Sequence, residues 1–328
     1  MNSHRSPVFG RRVGALLFTA ILGASQCAQI ATGHPVHRPG LPRLGADQVG
    51  TPVVLPQAVQ FDFTSRLTGQ DYRLYVSVPP RLQPGKRYPV LYVLDGYWYF
   101  HAAARSVPAD PGDHLQPAIV VGLGYPTDKM DELLRRRTFD LVPPPPPGGA
   151  MAGVEPGTGG LDDFIRMLLE EVRPFVQDRY PVDSGRQAIF GMSNGGLAVL
   201  RMLFRHPQAF QTYIAASPAI FHHNRVILAD EANFGAKLQA LETTLRVLIT
   251  TAVDEQYRGT DPVLLANDWR FVDNAAELAD RLAGLNVAKL KVTYTSFSDE
   301  NHKSVALSAL SRGLRFALQT SQVKSDGP

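Results

Sequence analysis

Residues 191–195 have the sequence Gly-Met-Ser-Asn-Gly, which matches the G-x-S-x-G pattern of an activated serine nucleophile. An apolar, strand-like run at 187–191 precedes Ser193, and a helical pattern at 193–205 follows it. This context predicts a tight turn from which the hydroxyl projects, with the start of the helix directed at a developing oxyanion. The alternative interpretation is a serine that caps a helix after a glycine turn.

A serine nucleophile needs a base, and in strand–turn–helix sites of this kind the acid and then the histidine follow it along the chain. His302 lies between the last predicted strand and the last predicted helix, where the base is expected. Asp254 and Glu255 both follow the predicted strand at 245–251. The spacing favours Asp254 as the acid that orients the imidazole, and Glu255 is the alternative.

An oxyanion needs two backbone N–H donors. Asn194, directly after the nucleophile, is expected to supply one, and Tyr97, in the loop after the predicted strand at 88–94, the other. Gly96 lets the backbone turn toward a substrate there. The aromatic run 97–100 includes Trp98, which we expect either to stack on an aromatic group of the substrate or to pack in the core.

Strand-like and helical segments alternate along the chain, which predicts a mostly parallel central sheet with helices on both faces. The first two strands are separated only by a turn and predict an antiparallel N-terminal edge. The predicted strands are 53–64, 71–78, 88–94, 118–123, 187–191, 211–216, 245–251 and 289–297, and the predicted helices are 161–178, 193–205, 269–285 and 304–318.

Residues 1–32 have the layout of an export signal. Three arginines and no acid lie in 1–12, an apolar run fills 13–24, and small residues follow, so we expect cleavage between 25 and 33. The apolar run is shorter than the roughly 20 residues that span a bilayer. An uncleaved N-terminal anchor and a lipid on Cys27 are the alternatives. A cleaved chain is expected in the periplasm or outside the cell.

The rest of the chain is predicted as a flexible lead-in (33–52), one α/β domain (53–320) and a short tail (321–328). Residues 141–160 interrupt the alternation with five consecutive prolines and a group of glycines. Such a segment cannot form a helix or a central strand. We expect either an ordinary surface loop or a flap over the site.

The composition is that of a globular protein, with 44% hydrophobic and 19% charged residues, which excludes disordered and fibrous classes. A single cysteine excludes an intramolecular disulfide and a cysteine-based zinc site. The net charge of +3 arises from the three leader arginines, since 30 basic and 30 acidic residues remain after residue 28. No basic surface for nucleic acid is therefore predicted.

Four segments together resemble the esterase D-type "Putative esterase" family, and most of all its branch of periplasmic siderophore trilactone esterases. They are YPVLYVLDG at 88–96, GMSNGG at 191–196, ASP at 216–218 and NH at 301–302. The resemblance covers about residues 55–318. It implies an α/β-hydrolase fold, no metal or cofactor, and an acyl-enzyme on Ser193 with His302 as the base.

The resemblance also suggests substrate contacts. In the siderophore branch an arginine-rich stretch helps to hold the anionic substrate, and residues 135–140, with sequence RRRTFD, match it. Arg136 and Arg137 are therefore candidate substrate-binding residues, the alternative being solvated charges at a helix end. The chain departs from the family after Ser217-Pro218, where relatives often have tryptophans and this chain has Phe-His-His at 221–223.

The sequence thus predicts an exported serine esterase whose partner is a small-molecule ester, foremost a siderophore ester of the catecholate trilactone type. Small or carbohydrate-linked esters, acyl transfer to a sugar, and a non-catalytic binding protein on a hydrolase fold are the alternatives. No nucleic-acid partner and no membrane insertion beyond the N-terminal segment are expected.

Overall fold

A twisted β-sheet forms the centre of the protein. The structure is a computed structural model that describes residues 53–107, 115–146, 157–260, 262–266 and 268–319. Its strands are β1 (Ala58–Thr64), β2 (Asp71–Ser77), β3 (Tyr88–Val93), β4 (Ile119–Gly124), β5 (Val182–Met192), β6 (Thr212–Ala216), β7 (Leu245–Ala252) and β8 (Leu290–Phe297).

The strands are ordered β1-β2-β4-β3-β5-β6-β7-β8 across the sheet. Each neighbouring pair in the run β4-β3-β5-β6-β7-β8 is parallel. In contrast, β1 pairs antiparallel with β2, and β2 pairs antiparallel with β4. The predicted fold class, a mostly parallel sheet with an antiparallel N-terminal edge, is therefore confirmed.

Helices connect the strands and cover the sheet. They are α1 (Gly96–Ser106), α2 (Met130–Leu141), α3 (Leu161–Met167), α4 (Arg173–Arg179), α5 (Asn194–Arg205), α6 (His222–Arg225), α7 (Ile227–Glu231), α8 (Phe234–Gln239), α9 (Pro262–Ala266), α10 (Phe271–Gly284) and α11 (Val305–Leu318). Among the described residues, each helix is too short or too polar to cross a membrane.

Both faces of the sheet are buried under helices. On β3, Val90 and Tyr92 belong to the apolar cluster beneath α2, α3, α5 and α10, whereas Leu91 and Val93 belong to the cluster beneath α1 and α11. This alternation follows from the two-residue period of a strand. It explains why the central strands are nearly continuous apolar runs, as parallel strands with two covered faces require.

The structure differs from the sequence prediction in the helical layer. The predicted helix at 161–178 contains a π-helical turn, Leu168–Val172, which ends two residues before Pro174. Proline has no N–H to donate to the preceding turn, which accounts for the local change in hydrogen bonding. The short helices α6, α7 and α8 fill a stretch in which no helix or strand was predicted.

The proline- and glycine-rich loop is closed at its base. The Gly160 N–H donates to the Phe139 carbonyl at 2.8 Å, and the Gly159 N–H to the Val142 carbonyl at 3.1 Å. The middle of this loop, the predicted export signal, the lead-in and the tail lie outside the described residues. Their predicted roles remain predictions.

Candidate active site

The side chains predicted to do chemistry lie at one edge of the sheet, because the carboxyl ends of parallel strands meet there. Ser193 forms the turn between β5 and α5 with φ of 61° and ψ of −117°. An alanine Cβ at position 191 would lie 2.2 Å from the Gly195 carbonyl oxygen, so only glycine permits this approach. The Ser193 N–H donates to the Ala216 carbonyl at 2.9 Å, which anchors the strained turn to β6.

His302 reaches Ser193 from the loop after β8. Its Nε2 lies 3.0 Å from the Ser193 Oγ, although 109 residues separate the two along the chain. The neighbouring Asn301 shapes this loop, since its side-chain oxygen accepts the N–H of Lys303 at 2.9 Å. The serine and the histidine are thus within the distance needed for proton transfer.

The acid that contacts this histidine is Glu255 and not Asp254, so the preferred sequence assignment is replaced by its alternative. Glu255 Oε1 lies 2.7 Å from His302 Nδ1, and Glu255 Oε2 accepts the Ala252 N–H at 2.7 Å. Residues Val253–Glu255 form a 3₁₀ turn, in which successive side chains point about 120° apart. Asp254 therefore faces solvent, while the Glu255 side chain is 0% exposed.

Two helix starts present the expected oxyanion donors. Tyr97 is the second residue of α1, and Asn194 is the first of α5. The N–H groups at the start of a helix have no carbonyl four residues earlier within that helix, so they are available to a ligand. The Asp95 carbonyl accepts from Trp98 and Tyr99, at 2.9 and 3.2 Å.

His222 supports the Asn194 turn, a contact that sequence analysis missed. His222 Nε2 lies 2.9 Å from Asn194 Oδ1. Burial lowers the pKa of His222 to about 4, and electrostatic interactions with His223 and with the Arg137 guanidinium act in the same direction. His222 is therefore neutral near pH 7. The adjacent His223 lies 3.2 Å from Thr158 at the base of the proline-rich loop.

The two arginines expected to contact substrate bind other parts of the protein. The Arg137 guanidinium donates to both Asp95 carboxylate oxygens at 2.7 and 2.9 Å. The Arg136 guanidinium donates to the Asp71 carbonyl at 3.2 Å and lies over the Tyr72 and Tyr125 rings. Both arginine side chains are only 13% exposed. The arrangement therefore gives no support to a role for them in direct substrate binding.

The aromatic run after β3 divides between surface and core. Phe100 is buried and stacks on Tyr75 at 5.2 Å between ring centroids. Trp98 is partly buried and lies beneath the Arg137 guanidinium, and the Tyr97 ring is exposed. Trp98 therefore packs against the protein, and its contact with substrate remains a prediction.

A second aromatic group lies next to His302, and no sequence pattern indicated it. The Phe271 ring lies 4.5 Å from the His302 ring, and Phe221 packs on Phe271 at 5.3 Å. Phe221 also stacks on Trp269 at 5.0 Å with an interplanar angle of 15°. Trp269 is 58% exposed and so offers an accessible face. We call Phe221, Trp269 and Phe271 the aromatic wall.

The described residues contain no cluster of histidine, cysteine, aspartate or glutamate suited to a metal ion. They bring together a serine, a histidine, a buried carboxylate and two helix starts. That arrangement can deprotonate a hydroxyl and stabilise a negative charge on a carbonyl oxygen.

Comparisons with known proteins agree with this chemistry. Ferri-bacillibactin esterase BesA of Bacillus subtilis is 34% identical over 277 residues, covering 81% of this chain and 89% of that protein. A siderophore triacetylfusarinine C esterase of Aspergillus fumigatus is 34% identical over 282 residues, covering 80% of this chain and 94% of that protein. The crystal structure of a BES protein from Bacillus cereus matches with a TM-score of 0.73 and 30% identity, covering 83% of this chain and 100% of that protein. The model of the Putative esterase family matches residues 65–283, and the chain belongs to that family.

Proposed function

We propose that this chain is a serine esterase that hydrolyses a siderophore ester of the catecholate trilactone type. The observation that carries the mechanism is the continuous contact from Ser193 through His302 to Glu255, at 3.0 and 2.7 Å. The substrate class is supported by the relatives, which are esterases of siderophores by name. The three-part pattern of residues 1–32 supports export of the mature chain.

The first half of the reaction forms an acyl-enzyme. The Ser193 Oγ attacks the ester carbonyl carbon while His302 Nε2 takes the hydroxyl proton. The carbonyl oxygen becomes an oxyanion, which accepts the N–H groups of Tyr97 and Asn194. When the tetrahedral intermediate collapses, the C–O bond to the alcohol breaks, and His302 gives its proton to that alcohol.

The second half returns the free enzyme. His302 takes a proton from water, and the resulting hydroxide attacks the acyl carbon on Ser193. The Ser193 Oγ leaves and takes the proton back from His302, and the carboxylic acid is released. Glu255 holds the imidazole with Nε2 facing the serine and stabilises its positive charge in both halves.

The test is mass spectrometry of an iron-free catecholate trilactone incubated with the mature chain. Ring opening, a gain of one water per cleaved ester, is expected with the wild type and not with Ser193→Ala. A p-nitrophenyl butyrate assay and labelling with a fluorophosphonate run in parallel. Cleavage of the nitrophenyl ester alone would overturn the siderophore assignment. A wild type that is folded yet unlabelled at Ser193 would exclude the serine mechanism.

A further inference from the structure

The two proposed oxyanion donors belong to separate turns. Tyr97 follows β3, and Asn194 follows β5, and these strands are neighbours in the sheet. A backbone hydrogen bond from the Leu94 N–H to the Phe190 carbonyl, at 2.9 Å, joins the strands just before the turns begin. After this bond the two strands end, so the distance between the two donors depends on other contacts between the turns.

Arg137 makes that connection from α2. Its Nε and Nη2 donate to the two carboxylate oxygens of Asp95, at 2.7 and 2.9 Å, which is the bidentate geometry that guanidinium favours. The same Nη2 donates to the Met192 carbonyl at 3.0 Å. Asp95 lies two residues before Tyr97, and Met192 lies two residues before Asn194. One guanidinium thus binds both turns at equivalent positions.

The surroundings make this connection rigid. The Asp95 side chain is 1% exposed, and water therefore does not compete for its carboxylate. The Asp95 backbone has φ of 57°, a left-handed conformation that is costly for a residue other than glycine and must be held by its contacts. A Cβ added at Gly195 would lie 3.2 Å from Asp95 Oδ2, so the carboxylate also packs directly against the nucleophile turn.

We propose that Arg137 and Asp95 form a clamp that holds the two oxyanion donors at their working separation. In this role Arg137 is a positioning residue and contacts no substrate. The inference rests on the proposed function, because it presupposes an oxyanion at the site. A displacement of one donor by about 1 Å is enough to cost on the order of a hundredfold in rate.

The test compares Arg137→Met with Arg201→Met. Arg201 is the matched control because it is also a buried arginine paired with carboxylates, with Asp162 at 2.6 and 2.8 Å and Asp230 at 2.7 Å. It lies on the later turns of α5, away from the nucleophile. With a small neutral ester, p-nitrophenyl butyrate, Arg137→Met is expected to lower kcat about ten- to a hundredfold with KM within about twofold. Arg201→Met is expected to keep the wild-type kcat.

A double variant separates positioning from folding. Asp95→Asn with Arg137→Met replaces the buried pair by two neutral residues, which removes the uncompensated charge that either single change leaves. Its melting temperature is expected to return toward the wild type while kcat stays low. Recovery of kcat together with the melting temperature would show a merely structural role and overturn the proposal. The double variant also carries the test if Arg137→Met does not fold.

Three further outcomes are decisive. An unchanged kcat for the neutral ester, with KM raised only for an anionic ester, would identify Arg137 as a substrate contact and overturn the clamp. Fluorophosphonate labelling separates the two proposals, since an unlabelled wild type contradicts the proposed function. A labelled wild type, with Arg137→Met labelled at the same rate, contradicts the clamp alone.

Discussion

A Glu255 carboxylate oxygen lies 2.7 Å from the Nδ1 of His302, and the Glu255 side chain is fully shielded from solvent. An ionised carboxylate can only accept a hydrogen bond, so Nδ1 carries the proton. The lone pair of the neutral imidazole is then on Nε2, which faces the serine. The buried glutamate therefore sets both the orientation and the tautomer of the proposed base.

We expect Glu255→Gln to lower kcat by about 10²- to 10⁴-fold, because the amide stabilises neither the working tautomer nor the imidazolium. Asp254→Asn is the matched control, since it removes the neighbouring carboxylate, which faces solvent. Steady-state kinetics on p-nitrophenyl butyrate give the kcat of both variants. A large loss in Asp254→Asn with little change in Glu255→Gln would reverse the assignment of the acid.

Trp269 is expected to bind aromatic groups of a substrate. Its exposed face lies at the outer end of the aromatic wall, which reaches the His302 ring through Phe271. Trp269→Ala should raise KM for ethyl 2,3-dihydroxybenzoate about two- to tenfold, the value of one aromatic stacking contact. KM for ethyl butyrate should stay the same. The hydrolysis rate of each ester is measured by titrating the released acid at constant pH.

Leu82→Ala serves as the control for this change, because Leu82 is also an exposed apolar residue and lies in the loop between β2 and β3. It should leave both KM values unchanged. An equal rise of KM for the aromatic and the aliphatic ester in Trp269→Ala would argue against stacking.

Gly191→Ala is expected to destabilise the protein by about 3 kcal/mol or more. The added Cβ would clash with the Gly195 carbonyl oxygen in the turn at Ser193, and backbone atoms cannot move aside as a flexible side chain can. Gly284→Ala is the control, since a Cβ there meets nothing within 4 Å at the end of α10. That change should leave stability unchanged or raise it by up to about 1 kcal/mol. Urea unfolding measures both, and a Gly191→Ala variant as stable as the wild type would contradict the close approach.

Asp140 should make the protein less stable as pH rises from about 4 to about 7. Burial raises the pKa of Asp140 to about 6, although the Arg136 guanidinium favours the ionised form. The folded state therefore holds this proton more tightly than the unfolded state, whose aspartate pKa is about 3.9. The stabilisation is fully present below pH 4 and is lost as pH passes about 6, at a cost of at most about 3 kcal/mol.

Asp140→Asn tests this pH dependence, because the amide does not ionise. Its free energy of unfolding, relative to that of the wild type, should rise across the interval from pH 4 to pH 7. The ordinary carboxylates of the chain contribute equally to both proteins and cancel in the difference. A difference that stays constant with pH would show that Asp140 has the same pKa in the folded and the unfolded protein, and would contradict the prediction.

Much of the fold followed from local patterns. The apolar runs within β3, β4, β5 and β7 identified the parallel strands, because a strand buried on both faces is a nearly continuous apolar run. The turn between the first two strands predicted their antiparallel pairing, because a short turn can join antiparallel strands but not parallel ones. The π-helical turn before Pro174 and the short helices after β6 did not follow, since tertiary packing outweighs weak propensities in short segments.

Local patterns alone predict Ser193 as the nucleophile and His302 as its base, because the glycines at 191 and 195 and the position of His302 after the last predicted strand can be read without coordinates. The spacing favoured Asp254 as the acid and left the adjacent, chemically alike Glu255 as the alternative. Tertiary folding places Glu255 and not Asp254 against His302, since a 3₁₀ turn directs only one of two neighbouring side chains toward it. It also turned Arg137 into the protein and built the aromatic wall from distant segments, because contacts between distant residues are created only when the chain folds.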